Sequence, residues 1–352
     1  MSLLRITSPH THRAGRRTSW VMQMVMLATV PGLITQTYLF GYGTLINLVI
    51  ACLTALASEA LILKLRNRPI GFSLSDCSAL LTAVLLALAL PPTVPWWLTV
   101  TAVSFSVIFA KQVYGGLGNN PFNPAMVGYA ICLVSFPVPM TQWIGASEII
   151  QAGAVPSFSD SLAAIFGSLP AIDSYTMATP LDAFKHKDGM MSSEAYASIA
   201  GLQSANLVSW MYVNLAYLAG GLLLIWLRII TWHTPVAMIA GLGLMANVFY
   251  GLDPDNAAST IFHLTSGAVM LGAFFIATDP VSSCTSNRGK LVYGLGIGIL
   301  IYVIRTWGGY PDGVAFAVLL MNFAAPLIDY FTQPRAYGHK KAKKGLTIGG
   351  EK

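Results

Sequence analysis

Three short stretches carry polar or backbone-breaking residues that a plain apolar segment has no need of. The first is Gly115-Gly116-Leu117-Gly118-Asn119-Asn120-Pro121-Phe122-Asn123-Pro124-Ala125. Gly and Pro free backbone groups from helical bonding, and each Asn amide offers both donors and an acceptor. Two readings stand side by side: a tight turn capped by Asn, or a half-inserted loop whose amides face a polar ligand. The second, Thr278-Asp279-Pro280-Val281-Ser282-Ser283 with Arg288 and Lys290 close behind, reads first as a helix stop with anchoring charges. The third, Gly308-Gly309-Tyr310-Pro311-Asp312-Gly313, places Asp312 where a carboxylate caps the following helix. Only one acid, Glu59, falls inside an apolar run. With Lys64 and Arg66 about a turn away it is expected to snorkel to the interface rather than mark an ion path.

The stretch Asp173-Ser174-Tyr175-Thr176-Met177-Ala178-Thr179-Pro180-Leu181 sets two hydroxyls, Thr176 and Thr179, in a turn, with Lys185 and Lys187 following. Taken alone, Thr179 caps a turn before Pro180. There is no HExxH, Walker A or GxSxG pattern and no Cys/His ligand spacing. Neither a hydrolase, a nucleotide site nor a metal centre is expected, and no residue is assigned a catalytic role. Cys52, Cys77, Cys132 and Cys284 are scattered singly in or beside apolar runs and read as small buried residues.

These residues must be positioned by a chain of 352 residues that is 55% hydrophobic and 10% charged, with a mean hydropathy of +0.64. Soluble domains carry about 25% charged residues, so an ordinary soluble enzyme is excluded, and the weight of apolar residues excludes a disordered chain. Continuous apolar runs, rather than short alternating ones, exclude a transmembrane β-barrel. The fold class expected is an all-α polytopic membrane protein. At about 20 residues per crossing, ten transmembrane helices are expected, over Trp20–Phe40, Leu45–Leu63, Asp76–Leu90, Trp96–Val113, Ala125–Trp143, Asn206–Leu227, Pro235–Tyr250, Thr260–Thr278, Leu291–Arg305 and Gly313–Tyr330. The first eighteen residues are basic and polar and the first apolar run is followed at once by another, so no cleavable signal peptide is expected.

Charge sets the direction. With the N-terminus inside, 17 of the 20 Lys and Arg fall on the cytoplasmic side, and only Lys185, Lys187 and Arg305 lie outside. Both termini are therefore expected in the cytoplasm. The formal charge of +6 reflects membrane orientation and lipid contact, not nucleic acid. The chain divides into a cytoplasmic segment (1–19), a first five-helix half (20–143), an exterior loop (144–205), a second five-helix half (206–330) and a basic tail (331–352). The exterior loop holds Glu148, Asp160, Asp173, Asp182, Asp188 and Glu194, and its length calls for a small ordered excursion. An odd number of helices per half inverts the second half relative to the first. In keeping with that plan, SALLTAVLLALALPP (Ser78–Pro92) lies ungapped on SGAVMLGAFFIATDP (Ser266–Pro280), and GNNPFNP stands before the fifth helix where GGYPDG precedes the tenth.

Six fragments in order, SPH, LALALPPTVPWW, GGLGNNPFNPAM, ATDPVS, GGYPDGVAFAVLLMN and AAPLID, spread from Ser8 to Asp329, give the chain a family likeness. It resembles the D subunits of Rnf (Rsx) electron-transport complexes, which are homologous to the B subunits of sodium-pumping NADH:quinone reductases. The resemblance implies ten helices in inverted halves and a bacterial inner-membrane location. It implies a flavin-carrying subunit of a complex that couples ferredoxin and NAD redox chemistry to cation translocation. It also implies two flavins. The first is a flavin mononucleotide (FMN) joined by a phosphoester to a threonine of an exterior [ST]GAT-like motif, whose acceptor place is taken by Thr179. Met177 stands for the usual glycine and Thr176 for the serine, and Thr176 is the alternative acceptor. The second is a noncovalent riboflavin near an Asn-x-x-Asn, which maps to Asn120 and Asn123. Partners implied are the A, B, C, E and G subunits and a flavin transferase, with Lys185 or Lys187 available to screen the phosphate. A channel or carrier without a redox role is the reading of a different class. Asn123-Pro124-Ala125 is an aquaporin-like triplet, but the second such triplet that aquaporins require is absent.

Overall fold

The computed structural model describes residues 17–145, 155–167, 175–187, 189–310 and 312–332. Most of the N-terminal segment, the basic tail beyond 332, and Glu148, Asp173, Asp188 and Pro311 lie outside the described residues. Two long helices open the chain, α1 (Thr18–Phe40) and α2 (Gly43–Leu65). Shorter ones follow: α3 (Ile70–Leu74), α4 (Ser78–Ala89), α5 (Trp96–Phe105, running on as a π-helical turn over Ser106–Gln112), α6 (Pro124–Ser135) and α7 (Pro137–Thr141). After β1 (Trp143–Ile144), α8 (Phe158–Ile165), β2 (Thr176–Met177), α9 (Pro180–Lys185) and α10 (Ser192–Ser198), the long helices resume. These are α11 (Ser204–Trp226) and α12 (His233–Leu252), then the interrupted α13 (Thr260–Thr265) and α14 (Val269–Leu271, with a π-helical Gly272–Ile276), and finally α15 (Asn287–Trp307) and α16 (Val314–Thr332).

Among the described residues, six helices are long and apolar enough to cross a membrane: α1, α2, α11, α12, α15 and α16. The four other expected spans are shorter or broken. Pro91 and Pro92 end α4, and Asn47 Nδ2 donates to Pro91 O and Pro92 O at 3.4 and 3.1 Å, replacing the lost partners. The expected span Thr260–Thr278 breaks at Ser266–Gly267, where Gly267 takes φ 70°. Arg305 donates to His263 O at 2.7 Å and Ser266 O at 3.1 Å. Asn214 Nδ2 donates to Thr265 O and Gly267 O at 2.8 and 2.9 Å, and its Oδ1 accepts from Met270 N. Irregular backbone at membrane depth survives where protein groups satisfy it in this way.

Close helix contacts rest on glycine. α12 packs on α15 at Gly241, Gly294 and Gly298, where a Cβ on Gly298 would stand 2.2 Å from Met238 O. α1 and α11 run antiparallel: Phe40 lies beside Trp210, and Gly220 sits against Ala28. The described residues of the segment 144–205 form short elements. β1 pairs antiparallel with β2, and Leu181, Ala183, Ala195 and Leu202 close with Ala258 and Phe262 into a small core of their own.

Glu59 departs from expectation. It is buried and does not snorkel: its Oε1 accepts from Lys111 Nζ at 2.6 Å and Gln112 Nε2 at 2.7 Å. The π-helical turn after α5 carries Lys111 inward, to a site where Ser78 Oγ is also 2.6 Å away. A buried opposite charge at hand outweighs the stretch to the interface. Arg305 and Asp312, expected as an exterior base and a simple cap, likewise form a pair at 3.1 Å with the Arg305 side chain buried.

Candidate functional site

The candidate site residues line two cavities at opposite ends of the bundle. α1, α4, α6 and the segment around 267–280 each contribute to both, at opposite ends of their length.

The first cavity leaves about 80 Å³ of free internal space, with further room at its mouth. Thr179, Leu181 and Asp182 lie at its loop side, Trp143 and Trp210 on its wall, and Gln36, Tyr217 and Asp312 contribute polar atoms. Thr179 is half-buried and is the N-cap of α9, its Oγ accepting from Asp182 N at 3.3 Å, with Pro180 in the first helical position. Capping occupies a lone pair, and among the described residues the hydroxyl proton meets no acceptor. Thr176 is held in β2 opposite Ile144 and is not part of the cavity wall. Asp312 reaches further than a cap: besides Val314 N it accepts from Ala268 N at 2.9 Å and from Arg305, tying the start of α16 to the break before α14.

Lys185 and Lys187 turn away from this cavity and line a separate one with His263 and Arg305. Lys185 Nζ donates to Tyr310 O at 2.8 Å, and Lys187 Nζ to Asn256 O at 2.8 Å. Burial lowers the pKa of both ammonium groups, opposed for Lys185 by Asp182 and for Lys187 by Asp253.

The second cavity, with about 120 Å³ of free internal space, is lined by Asn120, Asn123, Ser78, Lys111, Thr278 and Asp279, together with Phe274 and Phe275. The loop before it turns on Gly115, Gly116 and Gly118, all at φ between 94° and 117°, which only glycine adopts without strain. The two asparagines differ. Asn123 is fully engaged: Oδ1 accepts from Ala125 N at 3.0 Å and Met126 N at 3.3 Å as the cap of α6, and Nδ2 donates to Ile276 O at 3.2 Å. Asn120 donates to Phe122 O at 3.0 Å, but its buried Oδ1 has no partner. Asp279 closes a turn, accepting from Ser282 Oγ at 2.6 Å, in keeping with a helix stop.

All of these residues fall inside a stretch that matches the model of the NQR2, RnfD, RnfE family over residues 5–338. The chain belongs to that family. It is 54% identical over 350 residues to the D subunit of the ion-translocating oxidoreductase complex of Ectopseudomonas mendocina (strain ymp), covering 99% of this chain and 100% of the relative. The protein of the same name from Alcanivorax borkumensis is 55% identical over 349 residues, 98% of this chain and 99% of the relative. That from Marinobacter nauticus is 54% identical over 351 residues, 98% of each. Within this family member, sequence reasoning passes over Gln36, Asn214, Tyr217, Lys111 and Arg305 as site residues. Their common signal is a polar side chain inside or at the end of an apolar run, which marks either a functional site or a backbone break that needs a partner.

Proposed function

We propose that this chain is a flavin-carrying membrane subunit of an inner-membrane complex that couples electron transfer between ferredoxin and NAD to cation translocation, assembled with the A, B, C, E and G subunits. The observation that carries the reading is the position of Thr179, on an ordered excursion and at the mouth of a deep, mostly apolar cavity. Thr179 Oγ would hold the FMN through an ester to its phosphate, placed there by the flavin transferase. Covalent attachment keeps the group at high effective concentration in the cavity. A flavin supplies one- and two-electron transfer, and the protein supplies its position and polarity. The cavity wall gives that position, and its unpartnered buried polar atoms fit a group with its own donors and acceptors. A noncovalent riboflavin is assigned to the second cavity, with Asn120 Oδ1 as its free acceptor and Asn123 holding the wall.

The membrane plan that goes with this function is ten crossings in two inverted halves, both termini cytoplasmic. Paired features support it. Lys111 lies near the end of the fourth expected span and reaches Ser78 and Glu59; Arg305 ends the ninth and reaches Ser266 and Asp312, and Ser78 and Ser266 are the residues that open the two overlaid stretches. Each interrupted element is thus held by one buried cation and one acid.

The test is a denaturing gel under ultraviolet light, with the transferase co-expressed. Thr179→Ala is expected to abolish the fluorescent band and Thr176→Ala to keep it. Fluorescence that survives in Thr179→Ala removes the assignment.

A further inference from the structure

Two residues of the Thr179 cavity lining each carry a buried polar atom that the protein leaves without a partner. Tyr217 and Gln36 line it, exposed by only 2% and 5%. The Tyr217 hydroxyl makes no hydrogen bond; the Gln36 amide donates through Nε2 to Leu88 O at 3.4 Å, while its Oε1 accepts nothing. Native proteins leave few such groups, and each calls for an explanation. Their helices, α1 and α11, pack against each other. The Tyr217 ring packs on Gly32, where a Cβ would stand 2.2 Å from a ring carbon, and Gln36 is the next residue along the same face of α1. Side chains lean toward the N-terminus of their own helix, so on the antiparallel α1 and α11 Gln36 and Tyr217 lean toward a common level. One offers a donor and the other an acceptor, in a wall that is otherwise mostly apolar.

We propose that Tyr217 and Gln36 are the recognition pair for the pyrimidine edge of the flavin ring attached at Thr179, an inference that rests on the attachment reading above. That edge presents a carbonyl oxygen, an N–H and a second carbonyl oxygen in a row. Tyr217 O–H donates to a ring carbonyl, and Gln36 Oε1 accepts from the neighbouring ring N–H. Met126, Leu133 and Leu271 take the apolar remainder. A donor aimed at the carbonyl is worth most when reduction raises the electron density there, so Tyr217 favours the reduced ring.

The experiment uses the full-length protein co-expressed with the transferase, as wild type, Tyr217→Phe, Gln36→Met and the double variant. Gel fluorescence reports attachment; a spectroelectrochemical titration gives the midpoint potential of the bound flavin; redox-difference infrared spectra give its carbonyl stretches. All four proteins should carry the fluorescent band, because attachment belongs to Thr179. Tyr217→Phe should lower the midpoint potential and move a flavin carbonyl stretch to higher frequency, and Gln36→Met should shift the bands coupled to the ring N–H. Should Tyr217→Phe fail to fold, the infrared shift in the volume-conserving Gln36→Met decides the matter alone. Loaded variants with wild-type potential and infrared bands overturn the pair. A wild type without covalent flavin overturns the attachment reading first, and the pair with it.

Discussion

At the scale of single residues, two asparagines three apart carry different burdens. Asn123 has both ends of its amide bonded within the protein, whereas Asn120 keeps one buried acceptor unused. Asn120→Leu is therefore expected to release any noncovalent flavin from the purified protein while leaving covalent flavin in place. Asn123→Ala should cost about 0.5–2 kcal/mol through the lost cap of α6, read as a lower unfolding midpoint in detergent. Unchanged noncovalent flavin in a folded Asn120→Leu protein would leave the loop with a purely structural role. The Glu59–Lys111 pair makes a separate prediction. Removing one partner of a buried ion pair costs about 3–5 kcal/mol, whereas replacing both with apolar groups is often neutral. Glu59→Gln should thus destabilise strongly, and Glu59→Leu with Lys111→Met should recover most of the loss in thermal unfolding; a double variant worse than the single would show the pair to be held by more than its charges.

At the scale of elements, the sequence is most legible where a single physical signal suffices. The six long helices follow from apolar length alone, and the observed bounds of α1 and α2 lie within two residues of those expected. The interrupted elements are harder to read. Pro91 and Pro92 announce the end of α4, but the break at Ser266–Gly267 is made possible by Arg305 and Asn214, which come from other parts of the chain. Long-range partners have no local signature, which is also why Glu59 reads as an interfacial residue when its partner stands 52 residues away. The Thr179 and Asn120 positions are legible through resemblance, whereas the Tyr217 and Gln36 wall emerges only once helices α1 and α11 are brought together. The helix contacts give their own prediction. A Cβ on Gly298 meets backbone of α12, while one on Gly243 meets only Thr260 Cγ2 at 3.7 Å. Gly298→Ala should destabilise by at least the ~1–3 kcal/mol typical of overpacking, and Gly243→Ala should be neutral or stabilise by up to about 1 kcal/mol through helix propensity. Equal unfolding midpoints for the two would deny that the α12–α15 contact depends on close backbone approach.

At the scale of the whole molecule, the walls of the two cavities meet in a pair of packed aromatic rings. Tyr217, in the lining of one, meets Phe275, in the lining of the other, with ring centroids 6.0 Å apart. Two flavins seated in these cavities would face opposite sides of the membrane within one bundle, provided that the two ends of the bundle open to opposite sides. Counting crossings decides this. Between the segment that carries Thr179 and the tail, the long helices α11, α12, α15 and α16 alone would return the chain to the side it left. Counting the broken α13–α14 element as a crossing makes the number odd and puts the tail on the other side. A reporter inserted near Ser192 and another fused after Lys352 separate the two cases without any knowledge of cofactors. Activity of the first outside and the second in the cytoplasm is expected, matching the bias of Lys and Arg. Reporters on the same side would mean that the broken element dips in and returns, so that Thr179 and the tail share a face and the inverted halves are lost with the tenth crossing.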